Sequence, residues 1–312
     1  RKKAVFLYES KRMRWFALAG IIAGVLFTIL MMHEFKGAFE DGSFYLGGGI
    51  NFGFCKMLGS ASILIVGCIA VMSIFQFSDW HKKSTQEYLL SLPFTQKERF
   101  LAKALCGYGT ILLSGITVLL GMIYVRNCYI TEFWKNLSGI AYSDIIMGNN
   151  TMWQLIQLGL QLILMMLALY SIFLLAHILV SRGIVAALIG TGMSFAPIYL
   201  WSVGYVLLYD GWFFREMQLD IPKYREWGQY LGLCVGSGFR STDMCSQMES
   251  SSYYIIVNYS NFWLMLFAAF ATIFIIGGLA YWISGRVDMA RTGIVVQKKS
   301  ARSFISAGMG VC

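Results

Sequence analysis

Three histidines and seven cysteines are the first side chains to weigh for metal or nucleophilic chemistry in this 312-residue chain. They do not assemble into a familiar site. His33 and Glu34 begin an HExxH pattern, but Gly37 stands where a zinc helix needs its second histidine. No two cysteines are spaced as CxxC, so no thiolate metal site is indicated. There is no GxSxG nucleophile elbow, and no GxxxxGK[ST] phosphate loop through which the chain could bind ATP. The chain therefore reads as a protein that is not an enzyme, with no metal and no cofactor of its own. Gln154, Gln157 and Gln161 recur at i, i+3 and i+7, placing three amides on one helical stripe. Amides facing lipid are costly, so that stripe is expected against another helix, a substrate pathway or a dimer interface. His177, further along the same segment, reads as a hydrogen-bonded histidine or a functional one. Cys234 and Cys245 share one hydrophilic segment and form a disulfide candidate if that segment faces an oxidising exterior.

The elements that carry these residues are set by hydropathy. Apolar residues make up 57% of the chain and charged ones 13%, with a mean hydropathy of +0.62, a balance suited to lipid rather than water as solvent. Six stretches, 15–32, 57–77, 104–125, 152–180, 183–209 and 262–283, contain no Asp, Glu, Lys or Arg. At about 1.5 Å per residue each can cross a hydrocarbon core of about 30 Å. The expected fold is an all-α membrane protein of six transmembrane helices. Segments 1–14, 78–103, 181–182 and 284–312 carry a net charge of +12, against −3 for the segments on the other side. The positive-inside rule then puts both termini in the cytoplasm. This makes the basic balance topological and argues against nucleic-acid binding.

Segment 1–14, with Val5, Phe6, Leu7 and Tyr8 between basic clusters, suits either an interfacial helix or a simple topological stop. Trp15, Trp80, Trp153, Tyr209 and Trp212 fall near span ends, where amphipathic rings settle. Ser181 and Arg182 alone join spans 4 and 5, which predicts a tight hairpin. Residues 210–261 are long enough for a small external cap. Gly20 and Gly24 form a GxxxG that permits close helix approach, and Gly190, Gly192 and Pro197 predict a kink or unwinding in span 5. The segment 284–312 ends in an apolar run that reads as the start of a further, truncated helix.

Segment 78–103 is the most specific part of the chain. Ser84 with Glu87 forms one capping box, and Thr95 with Glu98 a second. Between them Tyr88, Leu89 and Leu92 make an apolar patch on a helix too short to span a bilayer, stopped by Pro93. The physics leaves two readings: an elbow that takes force from a soluble partner, or a helix resting on the bilayer surface.

The run Glu87, Leu89, Leu90, Ser91, Leu92, Pro93, followed by Thr95, Lys97, Glu98, Arg99 and Lys103, resembles the signature of ABC-2 type permeases, membrane subunits of ATP-binding-cassette exporters. More loosely, so do the six-span layout, the basic pre-span segment and the long loop before span 6. The resemblance implies a type V exporter-like half-permease in a bacterial cell (inner) membrane, paired with a second half, identical or paralogous. It also implies a separate cytoplasmic ATPase that holds the ATP and Mg and contacts Glu87, Tyr88, Leu89, Leu90, Leu92, Pro93, Lys97 and Arg99. The polar 210–261 segment and the apolar tail after Phe304 depart from the shortest members of the family. A competing class is a membrane sensor or immunity protein that binds an extracellular peptide through residues 210–261.

Overall fold

The computed structural model describes residues 2–40, 50–81, 94–137, 150–209, 243–249, 252–258 and 262–286. Within them lie helices α1 (Lys2–Glu40), α2 (Ile50–His81), α3 (Gln96–Leu137), α4 (Met152–Leu179) and α5 (Gly183–Tyr209), strands β1 (Asp243–Glu249) and β2 (Ser252–Asn258), and α6 (Phe262–Ser284). The described residues are nearly all helical. Among the described residues, Val5–Glu40, Ile63–His81, Gln96–Lys135 and Met152–Leu179 are long and apolar enough to cross a bilayer, and Gly183–Ala196 and Ala269–Ser284 are shorter apolar helical stretches. This is compatible with a multi-pass membrane protein.

The polarity of the bundle is compatible with lipid as its solvent. Trp15, Ile22, Leu26, Leu30, Ile63, Leu64, Leu120, Ile184, Phe267 and Phe274 are exposed on its outside. Glu9, Gln76, Lys103, Ser171 and His177 are buried within. The all-α expectation needs one amendment, an antiparallel β-hairpin within 210–261, in which Glu249 pairs with Ser252, Cys245 with Ile256 and Asp243 with Asn258. Its second strand carries the aromatic and β-branched run Tyr253–Val257, which favours a pleated strand over a helix. Cys234, half of the disulfide candidate, lies outside the described residues.

α4 is the hub. It is buried on most of its surface and packs against α2, α3, α5 and α6. Thr151 caps it with Gln154 in a reciprocal capping box. Beyond Leu179 the extended Val180 ends the helix, and α5 starts at Gly183, giving the expected tight hairpin. α5 is helical through Gly190, Gly192 and Pro197, so no unwinding occurs there. At Gly190 the ring of Phe173 occupies the space a Cβ would need, 2.6 Å from its Cδ1.

α1 begins at Lys2, so the basic segment and the first span belong to one helix, about 58 Å long at ~1.5 Å per residue. Its contacts are chiefly with α3. The buried positions Glu9, Met13, Gly24, Met31 and Phe35, with Gly20, repeat every eleven residues. That period of about 3.67 residues per turn keeps one stripe against α3 over the helix length. Gly20 and Gly24 meet Ser114 and Thr117, and Gly121 of α3 meets Thr28 of α1. Two apolar cores lie along the bundle, one around Phe77, Phe100, Tyr170 and Phe173, the other around Phe35, Phe54, Phe133 and Leu158.

Candidate functional site

Contacts bring the first turns of α1, the end of α2, the start of α3, the end of α4 and the end of α6 to one end of the bundle. Thr95 starts α3 there: its hydroxyl accepts from the Glu98 N–H at 3.3 Å, while its own N–H donates to Glu98 Oε2 at 3.2 Å. This second capping box sets the start of α3, on which Lys103 is buried.

Lys103 is 1% exposed, and its ammonium donates to Glu9 Oε1 of α1 at 2.8 Å, to Asp79 Oδ2 of α2 at 3.3 Å and to the Gln76 carbonyl at 3.0 Å. Arg12, one turn beyond Glu9, also pairs with Asp79 and donates to Ser78 Oγ at 2.7 Å and to the Phe75 carbonyl. Two cations and two carboxylates thus neutralise each other, the Lys103–Glu9 pair buried and Arg12 and Asp79 half-buried at its edge. A charge of this kind is tolerated in a low-dielectric interior only when paired and hydrogen-bonded. Glu9 Oε2, by contrast, is buried without a donor.

A neutral layer backs the ionic one. Gln76 Nε2 donates to the Lys103 carbonyl at 2.6 Å, and the Tyr170 hydroxyl of α4 donates to Gln76 Oε1 at 2.6 Å. Gly107 leaves room for that hydroxyl, since an added Cβ would overlap it. Tyr108 packs edge-on to Tyr170 at 5.1 Å and lies 2.7 Å from Ser171 Oγ. Nearer the end, His81 Nδ1 lies 2.7 Å from the Ser181 carbonyl, and its Nε2 is 3.1 Å from His177 Nδ1. His177 Nε2 is 3.0 Å from Ser73 Oγ, and its ring stacks on Phe77.

The structure brings together some of the residues singled out from sequence and separates others. Glu87, Tyr88, Leu89, Leu90, Leu92 and Pro93 lie outside the described residues, as does the Ser84 capping box. Arg99 is buried and donates to the Phe94 carbonyl at 3.0 Å, while Lys97 reaches over the Tyr281 ring at 5.7 Å and packs on Gly285. The glutamine stripe divides: Gln154 folds back to cap α4, whereas Gln157 and Gln161 are buried in the bundle. Trp153 is exposed at the start of α4 and Trp15 is exposed well inside α1, but Trp80 is not an interfacial ring. It is buried edge-on to Phe77 at 5.4 Å, because the end of α2 is enclosed by α1, α3 and α4.

Sequence reasoning missed Glu9, Arg12, Gln76, Asp79 and Tyr170. A signal existed for the first of them, since Glu9 is the one acid in a segment with six basic residues. At the opposite end, Asn150 Oδ1 accepts from the Asn51 N–H at 2.9 Å and the Asn150 carbonyl accepts from Arg126 at 3.0 Å, which ties the starts of α2 and α4 to α3. Among the described residues no group of three His, Cys, Asp or Glu could hold a metal ion. Comparison with known proteins gives no match to any family model, curated protein or solved structure.

Proposed function

We propose that the chain is the permease half of an ATP-driven ABC-2 type exporter, crossing the membrane six times with both ends in the cytoplasm. Two halves form the substrate pathway, and a separate cytoplasmic ATPase, carrying ATP and Mg, presses on Glu87 to Arg99. One observation carries this reading. The roots of the loop, Asp79 before it and Lys103 after it, are joined to each other and to Glu9 and Arg12 of α1 in one ion cluster, buried at Glu9 and Lys103 and half-buried at Arg12 and Asp79. A push on a loop rooted in this way moves α1, α2 and α3 together, because separating them would strand charges in an apolar interior. The loop's own sequence supplies the other support, an apolar face at Tyr88, Leu89 and Leu92 that wants a partner surface.

The test is affinity purification of the tagged chain from its native membrane. An ABC ATPase is expected to come down with it, and Leu89→Asp with Leu92→Asp is expected to lose that ATPase while still inserting at the wild-type level. Absence of an ATPase from the wild-type preparation would overturn the reading. So would labelling of Lys97→Cys by a membrane-impermeant maleimide from outside intact cells.

A further inference from the structure

We propose that His81 and His177 together form a binding site for a single proton. The argument is a count of hydrogens along one chain of contacts. Ser73 Oγ lies 2.7 Å from the Ala70 carbonyl oxygen and 3.0 Å from His177 Nε2. His177 Nδ1 lies 3.1 Å from His81 Nε2, and His81 Nδ1 lies 2.7 Å from the Ser181 carbonyl oxygen. A carbonyl can only accept, so both ends of the chain need a donor pointing outward. Four hydrogen bonds require four hydrogens, whereas one hydroxyl and two neutral imidazoles supply three. All four bonds close only when the pair carries one additional proton.

The same geometry limits the capacity to one. A second proton would place N–H groups on the two nitrogens that face each other at 3.1 Å, hydrogen against hydrogen. In the neutral pair one bond opens. The least costly is Ser73 to Ala70, because the hydroxyl can turn to donate to His177 while the Ala70 carbonyl remains a backbone acceptor in α2. Phe77 favours the charged form: its ring stacks on His177 with centroids 5.1 Å apart and planes 10° apart, offering a π face to an imidazolium.

The charged groups around the pair are few. Lys103 of α3 stands 6.0 Å over the same Phe77 ring but is neutralised by Glu9 of α1 and by Asp79, which it shares with Arg12. Arg182 in the hairpin is exposed. α5 contributes no acidic or basic side chain, and Arg286 at the end of α6 lies over Trp282. Lys82 and Lys83 follow His81 outside the described residues. Among the described residues no carboxylate is within ion-pair distance of either ring. The bridge from α2 through α4 to the carbonyl that precedes α5 is closed in the neutral pair, and proton uptake adds the Ser73 bond to the Ala70 carbonyl that anchors it in α2.

The full chain holds three histidines, with His33 exposed as an internal reference, which suits nitrogen NMR of ¹⁵N-histidine-labelled protein in lipid bilayers. Across about pH 4 to 9, a range wider than the pH 5 to 8 in which an unperturbed histidine changes charge, the pair is expected to pass from two ring N–H groups to three in one step sensed by both residues. Substituting His81→Gln is expected to abolish the step at His177. Two separate steps reaching four N–H groups, a pair fixed at two N–H groups throughout, or an unchanged His177 titration in the His81→Gln protein would each overturn the assignment.

Discussion

Replacing Lys103 by Met tests whether the ion cluster holds these ends of α1, α2 and α3 together. Methionine fills most of the volume of the lysine stem, so the substitution removes charge rather than packing. Asp79 keeps Arg12, but Glu9, 4% exposed, loses its ion pair. Stranding one member of a buried pair costs about 3–5 kcal/mol. At about 2 °C per kcal/mol, the lower end for larger domains, the unfolding midpoint should fall by about 6–10 °C. Glu9→Gln alone should cost less, about 1–3 kcal/mol, because Lys103 still has Asp79 and the Gln76 carbonyl. The decisive protein is the Glu9→Gln, Lys103→Met double variant, which removes the stranded carboxylate and should be more stable than Lys103→Met although it carries one substitution more. Tryptophan emission on heating in nanodiscs reads all four proteins, with Trp80 buried beside Phe77 as the nearest reporter. A double variant no more stable than Lys103→Met, or a Lys103→Met protein within about 1 kcal/mol of wild type, would refute the reasoning, since neighbours in one network couple by about 0.5–3 kcal/mol.

Three further outcomes are expected. Gly107→Ala places a methyl where the Tyr170 hydroxyl sits, so the Tyr170 bond to Gln76 should break at a cost of about 1–3 kcal/mol, measured by the same melt. Gly20→Val should force α1 away from Ser114 of α3 and speed amide exchange along α1, whereas Gly192→Ala, with nothing within 4 Å of an added Cβ, should leave exchange unchanged. Thr95→Ala removes the hydroxyl that caps α3 and should cost about 1 kcal/mol, seen as faster amide exchange confined to residues 96–100.

Much of the helical layout was legible because it follows from hydropathy and capping. The uncharged runs marked the helices, Thr95 and Glu98 marked the start of α3, and two residues between apolar runs marked the hairpin after α4. Helix ends were less legible. Hydropathy stops at the first charge, but α1 continues through Arg14 to Lys2 and α3 through Arg126 to Leu137, since nothing in those segments breaks a helix. The hairpin of β1 and β2 went unread because Tyr253–Val257, met inside a charged loop, has too few residues to stand out beside six long apolar runs. The ion cluster was hidden for a different reason. Counting charges by segment makes Glu9, Arg12, Asp79 and Lys103 interchangeable members of one side, and only the helix phases reveal that these four point at one another. His81 and His177 are 96 residues apart, and no local pattern relates them.

The arrangement explains why so apolar a bundle keeps its polar side chains where it does. α4 is enclosed by protein over most of its surface, so Ser171 can be satisfied by Tyr108 of α3, and His177 by Ser73 and His81 of α2. α1 has one neighbour over most of its length, and van der Waals contact alone would let it slide along α3, because lipid tails are as apolar as its own side chains. Glycines let the two backbones approach but do not set their axial register. The Glu9–Lys103 pair does, since a shift of one turn, about 5.4 Å, would take the carboxylate out of reach of the ammonium. The cluster is thus a register pin as much as a source of stability, and it sits at the end where the segment between α2 and α3 is rooted.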